Sequence, residues 1–285
     1  MQTETAKPKI KPNERQQQAI DIQNGQVMLL AGPGTGKTFT VINRIEQMIE
    51  NGVDASTILC LTFSDAAANE MRQRLIKKIG VKASSVDVYT YHSFCNDVIK
   101  QYPEQFSLSL GVRLITETEK LALMKATIDE VNPQIFVPNR ADKYFYAKSF
   151  VGYVEHLKSL RISKEEYLSN IDTNPTLMPM YNAIEAEIYE REQNGKTQNK
   201  GRYAKLETIK KNIGKAKELW DLKEVYAQKM VEKNLIDFAD MICFVLNAFE
   251  EDENFKEEVS NKYQYFLVDE YQDTNELQNK IIFNL

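Results

Sequence analysis

Residues 31–38 read Ala-Gly-Pro-Gly-Thr-Gly-Lys-Thr, and residues 265–275 read Tyr-Phe-Leu-Val-Asp-Glu-Tyr-Gln-Asp-Thr-Asn. The first run supplies small residues that let backbone N–H groups curl round phosphate oxygens, then a cation and a hydroxyl. It fits the phosphate-binding P-loop pattern with Ala31 in place of the first glycine. Ala31, Gly32, Pro33, Gly34, Thr35 and Gly36 would form the cradle, Lys37 would reach the β- and γ-phosphates, and the Thr38 hydroxyl would ligate Mg²⁺. Pro33 has no N–H and belongs where no donor is needed. The second run sets two adjacent acids at the end of an apolar stretch. Asp269 suits a Mg²⁺ ligand, direct or through water, and Glu270 suits polarisation of an attacking water. A glycine turn with an incidental lysine and an acidic strand end are each ordinary features; in one chain they point to phosphate chemistry. Asp269 follows Lys37 by 232 positions, much farther than in many ATPases of this kind.

Elements must bring these groups together. Asn13 to Asn24 predicts a short helix with Asn13 as N-cap and Glu14 in its first turn. Gln26 to Leu30 is a mostly apolar run entering the glycine turn, which predicts a buried strand of a parallel sheet. Thr38 to Asn51 has helical apolar spacing, and the helix start near Gly36 aims its positive end at the anion. Strand Thr57–Phe63, helix Asp65–Ile79 and strand Val86–Tyr91 repeat the alternation, and Tyr263–Val268 predicts another strand. Strand–helix alternation argues for an α/β open sheet. Between about residues 96 and 233 the patterns are helical with charged faces, so the α/β unit reads as interrupted by a mostly helical insertion. "TNPTLMPM" (173–180) and "QNGKTQNKGR" (193–202) read as loops. From Lys196 to Lys217 lie Lys200, Arg202, Lys205, Lys210, Lys211 and Lys215 against Glu207 and Glu218, which is either a solvated helix face or a surface for phosphate backbones.

The bulk properties narrow the class. The 285 residues allow one large or two ordinary domains, and 42% hydrophobic with 27% charged residues is a soluble globular balance. Net charge is −5, which leaves room for a locally basic contact surface. Cys60, Cys95 and Cys243 are odd in number and far apart, so neither a disulfide framework nor a zinc site is expected. His92 and His156 cannot build a histidine metal centre alone. The polar N-terminus is unlike a signal peptide, and no run approaches the ~18 apolar residues of a membrane span, so a cytoplasmic protein is expected.

Five elements, in order, resemble the N-terminal half of a UvrD/Rep/PcrA-type superfamily 1 DNA helicase: "NERQQQAI" (13–20), "ILCLTFSDAAANEMRQRL" (58–75), "TYHSFC" (90–95), "IDFADMI" (236–242) and "VDEYQDTN" (268–275). The resemblance implies a RecA-like ATP-binding domain, called 1A, over residues 1–95 and 234–285, and a helical insertion, 1B, over 96–233. It implies ATP and Mg²⁺ as cofactors, with Gln16 reading the adenine edge. Phe39 stands where relatives often carry an arginine on the adenine, so stacking would persist without the cation–π contact. It implies single-stranded DNA, or a single/double-strand junction, crossing 1A. Phe63 would stack on a base, and Thr62, Ser64, Thr90, His92 and Ser93 would hydrogen-bond near the backbone; the lesser alternative is a core aromatic at a strand end for Phe63 and a buried, satisfied histidine for His92. At Asp65-Ala66 relatives often carry Asn-Lys, so a basic contact is missing. Polarity would be 3′ to 5′. A second motor domain with arginine fingers would lie in the parent chain beyond Leu285, so this portion alone would hydrolyse ATP very slowly. The competing readings are a P-loop ATPase of AAA+ or recombinase type and a non-catalytic interaction module.

Overall fold

The computed structural model describes residues 11–22, 24–32, 34–106, 111–136, 142–194 and 199–285. It is mixed α/β, mostly helical with a parallel sheet. The chain forms two compact units, Met1–Phe106 with Phe244–Leu285, and Ser107–Cys243.

In the first unit, α1 (Glu14–Asp21) opens on a capping box: the Asn13 side chain accepts from Gln16 N, and the Gln16 side chain accepts from Asn13 N, both at 2.9 Å. Helix α2 (Lys37–Glu50) follows the glycine loop and buries Ile42, Ile45, Met48 and Ile49. Strand β1 (Ile58–Thr62) is buried at every position, as a central parallel strand requires. Ser64 caps α3 (Asp65–Ile79) by accepting from Ala67 N at 3.2 Å. Strand β2 (Asp87–Thr90) runs directly into α4 (Tyr91–Gln101), where Thr90 and Ser93 form a second capping box.

The second unit starts at strand β3 (Arg113–Leu114), followed by α5 (Glu117–Val131), α6 (Ala147–Leu160), α7 (Lys164–Asp172), α8 (Leu177–Gln193) and the 33-residue α9 (Lys200–Glu232). Its core gathers Met124, Phe150, Val154, Leu222 and Tyr226 from α5, α6 and α9. Strand β4 (Leu235–Ile236) pairs in parallel with β3. The expected loop at 173–180 is shorter than read. Helix α8 starts at Leu177 and takes Pro179 into its first turn, where a missing N–H breaks no helical bond.

Helix α10 (Phe238–Glu251) carries the "IDFADMI" segment at its start. Asp237 and Asp240 accept from each other's backbone N–H at 2.9 Å, and both receive the buried Lys158 Nζ, at 2.7 and 2.9 Å. One buried cation is thereby shared by two acids. This accounts for both aspartates in that segment through the burial of Lys158, a partner 79 positions from Asp237.

The chain then returns to the first unit with α11 (Glu253–Asn261), strand β5 (Tyr265–Val268) and α12 (Glu276–Asn284). The sheet order is β2-β1-β5, all parallel, with Cys60 level with Val88 on one side and Leu267 on the other. Helices α2 and α3 supply Ile45, Met48, Met71 and Leu75 to its core.

One expected strand is absent. Residues 26–30 form no strand, and Met28 and Leu30 are 74% and 88% exposed. An extended run becomes a strand only when a neighbour completes its hydrogen bonds. Among the described residues β5 pairs with β1 alone, and no strand pairs with 26–30. No helix among the described residues is long and apolar enough to cross a membrane. Cys60 and Cys95 are buried and Cys243 is half-buried, and none of the three is in a disulfide.

Candidate functional site

The glycine loop lies at the N-terminus of α2. Gly34 and Gly36 have φ of +73° and +91°, a region that L side chains rarely adopt. Thr35 closes the loop by donating its hydroxyl to Gly32 O at 2.7 Å. Gln16 Nε2 donates to Thr35 O at 3.0 Å, so α1 braces the loop from outside. Gly36 serves as the N-cap of α2 without any side-chain cap; N–H groups of the first turn thus retain no side-chain partner, the arrangement that favours an anion. Pro33 lies outside the described residues.

A Cβ at Gly36 would stand 2.9 Å from Gln16 Nε2 on a backbone already left-handed. Gly36→Ala is therefore expected to destabilise the first unit by about 1–2 kcal/mol and to detach Gln16 from Thr35. Thermal unfolding of the variant reads this directly; an unchanged midpoint would show the loop to be softer than its geometry.

At the other end, β5 delivers Asp269 and Glu270. Asp269 N donates to Leu61 O at 2.9 Å, continuing the ladder to β1. Glu270 is left-handed, φ +52°, a conformation costing roughly 1–2 kcal/mol for a residue with a Cβ. It turns the chain at the strand end. Gln272 then donates to the Glu270 carboxylate, and the Tyr91 and Thr274 hydroxyls meet at 3.3 Å. Asn275 and Gln278 cap α12. The segment after the acids is thus held from three sides.

The two ends meet although 233 positions separate Lys37 from Glu270. Lys37 Nζ lies 3.0 Å from Glu270 Oε2, and the Thr38 hydroxyl lies 3.4 Å from Asp269 Oδ2. Asp269 is buried. Burial first, then the charge of Glu270, raises its carboxyl above the ordinary aspartate value, against the pull of the Thr38 hydroxyl and Lys37. Glu270 moves the other way: hydrogen bonds from Gln272 and Lys37 hold it below the ordinary glutamate value. The adjacent acids are thus pushed apart in proton affinity, a pattern found where two carboxylates have different tasks.

Phe39 flanks Gly36 on the side where Gln16 approaches, and its ring is half-buried. Lys78 Nζ stands 5.4 Å from the ring centroid. This cation comes from α3, a crossing that helix patterning offers no means to see.

The residues expected at a DNA surface divide into three groups. Phe63 projects from the end of β1, 53% exposed, and His92 is half-buried at the start of α4. The Ser64, Thr90 and Ser93 hydroxyls serve as helix caps, and Thr90 also meets Asp65 at 3.4 Å. Thr62 is fully buried and its hydroxyl has no hydrogen-bond partner among the described residues. Gln272, Tyr91 and Lys78 were not singled out from the sequence. For Gln272 a signal existed: a side-chain amide two residues beyond an acid can reach back to it.

A family model described as the UvrD/REP helicase N-terminal domain matches residues 12–285. ATP-dependent DNA helicase PcrA of Staphylococcus aureus (strain Mu50) is 24% identical over 271 residues, covering 95% of this chain and 31% of that protein. PcrA of Staphylococcus epidermidis (strain ATCC 12228) is 25% identical over the same length, again 95% of this chain and 31% of the relative. The chain therefore spans about a third of the length of these curated relatives. A match running nearly end to end places this chain in the UvrD/REP helicase N-terminal domain family.

Proposed function

We propose that this chain is the ATP-binding part of an ATP-driven DNA helicase that translocates 3′ to 5′ on single-stranded DNA. One observation carries the reading: a loop cation and hydroxyl, Lys37 and Thr38, lie 3.0 and 3.4 Å from a pair of acids, Glu270 and Asp269. In this reading the first unit is a RecA-like domain 1A, and residues 96–233 are its 1B insertion. Residues 31–38 wrap the phosphates, with backbone N–H groups and the α2 N-terminus as donors. Lys37 leaves Glu270 for the β- and γ-phosphates. Gln16 and Phe39, which approach Gly36 on the same side, receive the adenine.

The Thr38 hydroxyl and the Asp269 carboxylate are hard oxygen donors and fit Mg²⁺. Held by these two residues, the ion would supply neutralisation of the charge developing on the phosphate. Glu270, released from Lys37 and still held by Gln272, orients the attacking water and takes its proton. On the DNA side Phe63 offers its ring to a base, and Ser64, His92 and the capped turn at Thr90 and Ser93 lie along the backbone. Because the chain spans 31% of its relatives, it is expected to bind nucleotide but to turn it over slowly alone.

Titration of Mg·ATP and of a labelled oligothymidylate into the 285-residue chain tests both halves. Phe63→Ala should weaken oligonucleotide binding by about 1–3 kcal/mol, roughly 5- to 150-fold, the range for losing one stacked base. Nucleotide binding should not change. If the wild-type chain ignores the oligonucleotide, the DNA half of the proposal is wrong; if it ignores Mg·ATP at millimolar concentration, the ATP half is.

A further inference from the structure

One side chain joins the turn at Thr90–Ser93 to the segment that follows the two acids. Strand β2 ends at Thr90, and α4 begins at once with Tyr91. The Thr90 hydroxyl donates to Ser93 Oγ at 2.9 Å and also meets Asp65, the first residue of α3, at 3.4 Å. The turn that carries His92 and Ser93 is thereby tied to the start of α3, just after Phe63 and Ser64. Tyr91 turns inward. It is 1% exposed, and its hydroxyl lies 3.3 Å from the Thr274 hydroxyl, 183 positions along the chain. Burial raises the phenol above the ordinary tyrosine value, against the bond to Thr274, so a neutral hydroxyl stands there at neutral pH.

Thr274 belongs to the turn that sets Glu270. Asp273 N donates to Glu270 O at 2.9 Å, and Thr274 N donates to Tyr271 O at 3.1 Å. Residues 270–274 thus form one hydrogen-bonded piece, and Asn275 fixes its far end as the cap of α12. Its near end is Glu270, held at φ +52° and paired with Lys37. A strained residue with an exchangeable partner gives the piece two arrangements, one with Lys37 on the carboxylate and one with Lys37 released. The Tyr91–Thr274 bond is long for an O–H···O contact, whose usual span is about 2.5–3.0 Å, so a small shift of the piece tightens it. A phenylalanine would fill the same buried space, and a buried hydroxyl costs free energy unless it is bonded. Thr274 therefore accounts for the hydroxyl, and packing does not.

We propose that Tyr91 is a positioning residue that couples the two ligands. Its bond to Thr274 tightens when DNA holds the turn at Thr90–Ser93 and Lys37 has left Glu270, so occupancy of the DNA side favours the nucleotide-bound placement of Glu270. Such coupling is reciprocal: the oligonucleotide raises Mg·ATP affinity by the same factor as Mg·ATP raises oligonucleotide affinity. The inference rests on the helicase reading above and supplies the residue through which its two halves communicate.

Titration of Mg·ATP into the 285-residue chain, with and without saturating oligothymidylate, measures the factor. Tyr91→Phe should lower it about 2- to 12-fold, the worth of one net hydrogen bond, and leave the affinity for each ligand alone unchanged. Thr274→Val should lower it equally, and the double variant no further than either single one. Thr274→Ser keeps a hydroxyl and should preserve the factor. A part in folding alone would shift the separate affinities and leave the factor intact. The proposal is overturned if the wild type binds the two ligands independently, if Tyr91→Phe keeps the wild-type factor, or if the two single losses add. Should Tyr91→Phe lose binding of either ligand alone, Thr274→Val decides in its place: an unchanged factor, or separate binding lost there too, overturns the proposal. Independent binding of both ligands by the wild type leaves the helicase reading standing; a chain that ignores either ligand removes that half of the reading and the coupling with it.

Discussion

Replacing Lys37 by alanine is expected to weaken Mg·ATP binding by about 10- to 150-fold, measured by calorimetry on the otherwise unchanged chain. Lys37 is the one cation reaching the acids from the glycine loop, and its Nζ is already placed 3.0 Å from Glu270. A charged hydrogen bond to phosphate contributes about 1.5–3 kcal/mol. The competing interaction is smaller. Lys37 and Glu270 side chains are 23% and 36% exposed, and a pair open to solvent is worth about 0–1 kcal/mol. Transfer of Lys37 from carboxylate to phosphate is therefore downhill. The same inequality predicts that Lys37→Ala hardly alters thermal stability, which separates lost binding from lost folding. Undiminished affinity in a folded variant would remove the loop from the nucleotide site.

Glu270→Gln should act in opposite directions on binding and turnover. Single-turnover phosphate release is expected to fall by about 10²–10⁴-fold, the usual contribution of a positioned general base. Glutamine retains the shape and the contact with Gln272 but cannot accept a proton. ATP affinity should rise a few-fold, because Lys37 no longer has a carboxylate competing for it. Gln272 and Lys37 hold the proton affinity of Glu270 down while the two are paired; transfer of Lys37 to phosphate removes its share, so Glu270 becomes a stronger base when nucleotide is bound. A parallel loss of binding and turnover would argue that Glu270 supports the loop rather than the reaction. Lost turnover with gained affinity is the pattern that this geometry requires.

Features governed by neighbours a few residues away were legible beforehand. The helix expected at 65–79 has its observed bounds, because apolar spacing acts within a turn or two. Asn13 was read as the cap of α1 for the same reason. Strands at 57–63, 86–91 and 263–268 were each read with their observed strands inside them. The run at 26–30 carried the same apolar signal and failed, since a strand is a relation between two segments and its partner is not encoded in its own residues. The loop at 173–180 was overextended because Pro179 signals a break, yet is tolerated in a first helical turn. In the basic stretch, composition could not tell Arg202 and Lys215, engaged with Glu187 and the Phe136 ring, from Lys211 and Lys217, which are exposed.

The sequence by itself determined the inventory: a glycine loop ending in Lys37 and Thr38, an apolar strand ending in Asp269 and Glu270, and the helices and strands that flank them. Those follow from backbone sterics, capping and periodicity, all short-ranged. Only the tertiary structure decided what each group faces. Parallel pairing of β5 with β1 carries the acids to the loop across 233 positions. Burial then raises Asp269 while Gln272 and Lys37 lower Glu270. Proton affinity and charge pairing depend on distances between segments remote in the chain, and those distances exist only once the sheet has closed.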